Sequence, residues 1–311
     1  MDAPVPASAV ESAAEPRRRR RVLVAIGLVV ALVAGGVAFL LTRSSGTALA
    51  LSLPRGQTLH YRLHFGIQGS GTSSGATRPV TGDVSVDLSW RVVSVDANGI
   101  ATVEMTGAEL PGSTGGTPAR TPVSLRLEVA PDGRIVSGGD LTLATAGTSF
   151  GGGGIPGLGQ FTPLLPDHPV KPGQVWDKAY VQPNPYGTGA FRYTTRNRLL
   201  RFDVIGGVRT AVIQSTMSVP IDTTLDVRKL SEAAGQPANL PPGTTPTVAY
   251  SGTGSTKATF WVDPERGRLV KASLTSTLSL SLSFKGFPQS ELPQDVTAGF
   301  QGTVRMDLDQ A

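Results

Sequence analysis

Gly71-Thr72-Ser73-Ser74-Gly75 matches the G-x-S-x-G pattern of a nucleophile elbow. In a hydrolase that serine needs a strand before it, a helix after it, and an acid and a histidine further on. Here the pattern lies in Gly69–Gly82, a Gly/Ser/Thr stretch that reads as a loop between two strands, and the only histidine after it is His168. Gly152-Gly153-Gly154-Ile155-Pro156-Gly157 matches G-x-G-x-x-G. A dinucleotide site needs a helix to open there, and Pro156 among glycines denies it one. His60 and His64 stand four apart in a stretch that reads as strand. They share a face but lie ~13 Å apart, too far to grip one metal. Asp307 and Asp309 share a face with Arg305, and Asp263 and Glu265 flank a proline turn, so solvated faces and turns account for them. Without a cysteine there is no disulfide, zinc thiolate or cysteine nucleophile. The expectation is no catalytic residue, no metal, no cofactor and no enzymatic activity.

Two sets of residues remain as candidates for binding. Arg192, Arg196 and Arg198 fall on one face of a strand whose other face carries Phe191, Tyr193 and Leu199, with Arg201 and Arg209 nearby. Such a basic patch suits anionic lipid headgroups or wall polymers, or it is an edge strand blunted against aggregation. The other set is apolar. Leu274, Leu278, Leu280 and Leu282 share a face with Val270, Ala272 and Phe284, interrupted only by Ser276. Trp176 follows the Pro172-Gly173 turn and reads as a core or cavity-wall anchor.

The elements that hold these residues show a period of two, not 3.6. Val84, Val86, Leu88, Trp90 and Val92 alternate with Ser85, Asp87, Ser89 and Arg91. Val123 to Val129, Val270 to Phe284 and Val296 to Leu308 repeat the pattern. Each run is a half-buried antiparallel strand. A fifteen-residue run makes a strand of about 50 Å, which must coil with the sheet twist. The best helix signal is Thr224 to Ala234, capped by Thr223 or Thr224 and stopped by Gly235. One short helix cannot cover such sheets, so their apolar faces must cover each other. The fold class is therefore all-β with one N-terminal transmembrane helix. The β part is a large curved antiparallel sheet, or sheets, in a half-barrel or two-sheet packing.

The transmembrane helix is Val22 to Leu41, twenty residues without a charge or a strong polar group. Twenty residues give about 30 Å of helix, the thickness of a bilayer's hydrocarbon core. Of the formal charge of +5, a net +3 falls within residues 1–43. Six arginines and three acidic residues occupy positions 1–43, which leaves 22 basic and 20 acidic residues in the remainder. The chain as a whole is therefore not a nucleic-acid binder, and its basicity reads as a topological signal. Five arginines before the span put residues 1–21, a disordered tail, in the cytoplasm, residues 42–50 as a linker outside, and residues 51–311 as an extracytoplasmic β domain. Ala48-Leu49-Ala50 also fits a signal-peptidase site, which keeps a cleaved leader open, although the apolar run exceeds a usual leader and Arg43 interrupts the approach.

The β domain carries a faint duplication, over about 51–150 and 165–311. Leu127 to Val136, with Pro131-Asp132-Gly133, matches Phe260 to Val270, with Pro264-Glu265-Arg266-Gly267. Upstream, Val92 to Val103 matches Leu200 to Val212, each a hairpin with glycine at the turn. Between the halves, Thr145 to Pro172 reads as a hinge or long loop, with Gly151 to Gly154 in a row. Its Ile155, Leu158, Phe161, Leu164 and Leu165 either form a lid or lipid contact or tuck into the core.

Leu165-Pro166-Asp167-His168-Pro169-Val170-Lys171-Pro172-Gly173-Gln174-Val175-Trp176 resembles the LP-x-x-P-V-x-x-G-x-x-W element of uncharacterised, membrane-anchored actinobacterial proteins. With the hairpins and Pro-x-Gly turns, the resemblance covers about residues 55–310. More distantly, the long amphipathic strands are similar to the half-barrels of periplasmic lipoprotein carriers and mycobacterial lipid-binding lipoproteins. That resemblance implies an apolar concave face holding acyl chains, here lined by Trp176, Leu274, Leu278, Leu280 and Leu282. It departs from those families in having one helix where they have several, and no lipidated cysteine. The expectation is thus a lipid or other apolar ligand in the cell envelope. The alternative is a scaffold or protein-interaction domain with a packed core.

Overall fold

The computed structural model describes residues 46–73, 75–109, 123–137, 160–184, 186–233, 244–287 and 296–311. The span Val22–Leu41 and the Gly151–Gly154 run lie outside them. Among the described residues no helix is long and apolar enough to cross a membrane.

Among the described residues eleven strands form one antiparallel sheet. They are β1 (Thr58–Ser73), β2 (Ala76–Val95), β3 (Ala101–Glu109), β4 (Val123–Val129), β5 (Ile135–Ser137), β6 (Val175–Pro183), β7 (Gly187–Ile205), β8 (Val208–Asp226), β9 (Thr247–Asp263), β10 (Arg268–Lys285) and β11 (Thr297–Gln310). Their spatial order is β5-β4-β3-β2-β1-β11-β10-β9-β8-β7-β6. Two meanders, β1–β5 and β6–β11, are thus joined where the last strand pairs with the first. The sheet curls into a nearly closed barrel, so the two-sheet packing and the half-barrel both give way to one continuous wall. The reason is the length of the strands, up to twenty residues. Twist accumulates along them until the apolar face of one sheet covers itself. Register shifts at Val92/Ser94, Leu199/Arg201 and Leu269/Lys271 sharpen the coil toward one end.

The alternating residues line the interior. Tyr61, Phe65, Trp90, Val103, Leu127, Tyr193, Ile213, Phe260, Val262 and Leu278 are all buried there. The duplicated stretches fall on β2–β3 with β4–β5, and on β7–β8 with β9–β10.

Two local expectations change. Gly69–Gly82 is not a loop. β1 runs to Ser73 and β2 begins at Ala76, with Gly69 opposite Val80 on one side and Gly302 on the other. Its glycines serve close packing. A Cβ on Gly69 would stand 2.4 Å from the Gln301 carbonyl oxygen and 2.7 Å from Gly302 Cα. The helix α1 is shorter than expected, Val227–Ala233. Thr224 remains in β8, paired with Ala249, and Asp226 caps the helix by accepting from the Arg228 and Lys229 amides.

Candidate functional site

One end of the barrel is sealed by two segments that belong to no strand. Residues 47–53 bring Leu49 and Leu51 into the core, and residues 160–170 bring Phe161, Leu164, Leu165 and Val170. The apolar residues of the inter-repeat stretch that are described therefore tuck inside. Phe161 meets Trp90 edge-on at 5.4 Å, and Trp90 meets Tyr61 at 4.9 Å. The two segments clasp each other where Thr47 and Val170 exchange both backbone hydrogen bonds.

The second segment also fills the gap between the edge strands β5 and β6. Gln160 is its centre and is 3% exposed. Its Oε1 accepts from the Ile135 amide at 3.1 Å and from Tyr180 Oη at 2.6 Å. Its Nε2 donates to the carbonyls of Gly133 and Thr162, at 2.9 and 2.7 Å. One side chain thus joins β5 to β6, with its amide fully satisfied. The Leu165 amide donates to the Asp132 carbonyl, and the Lys178 ammonium pairs with Asp167 at 2.5 Å. The Lys178 hydrogen bond, then its charge, hold the Asp167 carboxyl below the ordinary carboxylate range. Gly133 is required here, because its φ is 85° and a Cβ would overlap the Pro163 carbonyl. Gly267 plays the same part for the first segment, with φ 61° and a Cβ position 2.6 Å from the Ser52 amide.

Trp176 belongs to this seam. It is buried, and its Nε1 donates to the Leu164 carbonyl at 2.8 Å. Leu274, Leu278 and Leu280 lie inside the barrel, and Leu282 is partly buried against the same core. Trp176 and the four leucines thus occupy different parts of one interior. Ser276, the interruption in the leucine face, is buried and shares a 2.8 Å hydrogen bond with Thr256. Across the sheet Asn197, Thr195 and Ser215 are buried as well. With Gln160 and Thr162 they make a polar layer across the interior. Two voids of about 10 Å³ adjoin it, one lined by Gln160, Thr256, Ser276 and Val304, the other by Thr162, Thr195 and Ser215 among others. Each has room for about one water. Alternation marks the leucines but not the layer, because a buried serine on a strand looks like a lapse in the pattern. Ser276 was its one trace.

The other residues lie on the outer surface. Arg192, Arg196 and Arg198 are exposed on β7, and Arg196 pairs with Asp177 at 3.5 Å. His60 and His64 are exposed, with His64 Nε2 3.2 Å from Asp83. Ser73 is exposed near the β1–β2 turn. Among the described residues no group of three His, Cys, Asp or Glu is placed to hold a metal ion. No family model matches the chain, and no curated protein is similar to it.

Proposed function

We propose that the protein is anchored in the cell membrane by Val22–Leu41, and that its β domain is an envelope scaffold, a rigid packed barrel that presents its outer surface to another envelope component. The observation that carries this reading is the state of the ligand-wall leucines. Leu274, Leu278 and Leu280 are at most 8% exposed and covered by the protein's own side chains. The two voids beside Leu274 each have room for about one water, not an acyl chain. Retention of the anchor is supported by the clasp. Cleavage after Ala50 would remove buried Leu49 and the Thr47–Val170 pair from the folded domain.

A second reading has one observation in its favour. Toward the end with the β1–β2 turn, Val80, Val84, Leu282, Phe284 and Phe287 are only partly buried. An apolar ligand would seat there, above the polar layer. Native mass spectrometry of the full chain from membranes, with a fluorescent fatty-acid titration, separates the two. The scaffold reading expects no stoichiometric lipid and no saturable uptake. One lipid per chain, lost on Leu282→Asp, would replace it with the carrier reading.

A further inference from the structure

We propose that the outer face of β6 and β7 is a docking surface for an anionic bilayer. The proposal rests on Val22–Leu41 being a membrane anchor and adds a second contact with the same membrane. Arg192 and Arg198 make no ion pair or hydrogen bond among the described residues, and Arg196 has only the exposed Asp177. The flanking strand β8 places no acid opposite Arg198 or Arg196, where Gln214 and Thr216 stand; its exposed acid, Asp222, lies six residues further along the strand from Thr216. Beyond Thr216 comes Lys257, another cation. Uncompensated charge of one sign attracts a surface of the opposite sign.

The edge strand decides which surface. β6 places Val181 opposite Arg192 and Val175 opposite Arg198, and these valines are 53% and 43% exposed. Bare valines on an edge strand invite pairing with other chains, a hazard that strands otherwise avoid with charge. Beside arginines they form the mixture that enters a lipid interface, apolar groups at the acyl boundary and cations among headgroups. A hydrated wall polymer would use the arginines and gain nothing from the valines.

The tether allows the contact. Five residues, Thr42–Gly46, separate Leu41 from Thr47, whose backbone is bonded to Val170. Extended, they reach about 20 Å. Val170 precedes the start of β6 by five residues.

The absence of cysteine makes the test clean. The full chain carries one fluorophore, on Thr194→Cys of β7 or on Gln301→Cys of β11. It is placed in nanodiscs of phosphatidylcholine alone, or of equal parts phosphatidylcholine and phosphatidylglycerol. Headgroup-labelled quencher lipids report proximity. The expected result is quenching at position 194 several times that at 301, in anionic discs only. It should fall in high salt and with Arg192→Gln plus Arg198→Gln, which should weaken the contact roughly thirtyfold. Unchanged melting of the double variant shows that its fold is intact. Equal quenching at both positions, or none that depends on lipid charge, overturns the proposal. If the chain leaves the discs in high salt, the anchor reading has failed. Flotation with phosphatidylglycerol vesicles then decides the face by itself. Arginine-dependent flotation upholds it. No flotation, or binding of soluble poly(glycerol phosphate) in its place, overturns it.

Discussion

The barrel has two joints that do the same work by different means. At the first, β1 and β11 meet over thirteen paired positions, from Tyr61–Gln310 to Ser73–Ala298. At the second, β5 has three residues and among the described residues does not pair with β6, and Gln160, Trp176 and the Lys178–Asp167 pair bridge the gap. A ladder spreads its stability over many equivalent bonds, and each is worth about 1 kcal/mol net. The side-chain joint concentrates its stability in a few buried groups. It is therefore the joint that a single substitution can open, and the place where local unfolding should begin.

The largest effect should come from Gln160→Ala. It removes the partner of the buried Ile135 amide and one hydrogen bond of the half-buried Tyr180, which predicts a loss of about 3 kcal/mol. Hydrogen exchange should speed at Ile135 and Leu165 while β1 and β11 stay protected. Uniform exchange would mean that the two joints are one cooperative unit. Next is Gly302→Ala, whose Cβ would stand 2.5 Å from the Gln68 carbonyl and 2.8 Å from Gly69 Cα in the first joint. It should cost about 2 to 3 kcal/mol in denaturant unfolding, with the loss shared across the ladder. Trp176→Phe keeps most of the ring's volume and strands the Leu164 carbonyl, for about 1.5 kcal/mol, read as a lower melting temperature.

The smallest effect is at Asp167→Asn, because that carboxylate is 80% exposed and water screens its pair with Lys178. A few tenths of a kcal/mol is expected. Its pH dependence has a definite sign. The folded pKa is held below the ordinary value, so the contribution is present above that value and lost as pH falls through the depressed one. The acid limb of the stability profile should flatten in the variant. An unchanged limb would place the acid sensitivity elsewhere, with Asp263 the first alternative. Burial raises that carboxyl, but the Arg266 and Glu265 amides and the Arg266 charge outweigh it and hold it low.

The candidate site was legible in proportion to how local its signals are. Leu274, Leu278 and Leu280 were found by alternation, since a strand's two faces are set by the chain itself. The polar layer was not, since Thr195, Ser215, Thr256 and Ser276 come from four strands, and no window along the chain contains them. Gln160 carried no signal either. A glutamine beside glycines reads as loop, and its role depends on Ile135 and Tyr180, twenty or more residues away in opposite directions. The Ser73 motif failed for the converse reason. A short pattern matches by chance, and here no helix follows it.

The sequence by itself determined the strands, their inward faces, the turns at Gly133 and Gly267, and the all-β class. These depend on alternation and backbone conformation within a few residues. Only the tertiary structure decided that the strands make one wall, that β1 meets β11, and that a strap with Gln160 at its centre closes the remaining gap. Which edges meet depends on the twist summed over eleven strands, a quantity that no local stretch of the chain encodes.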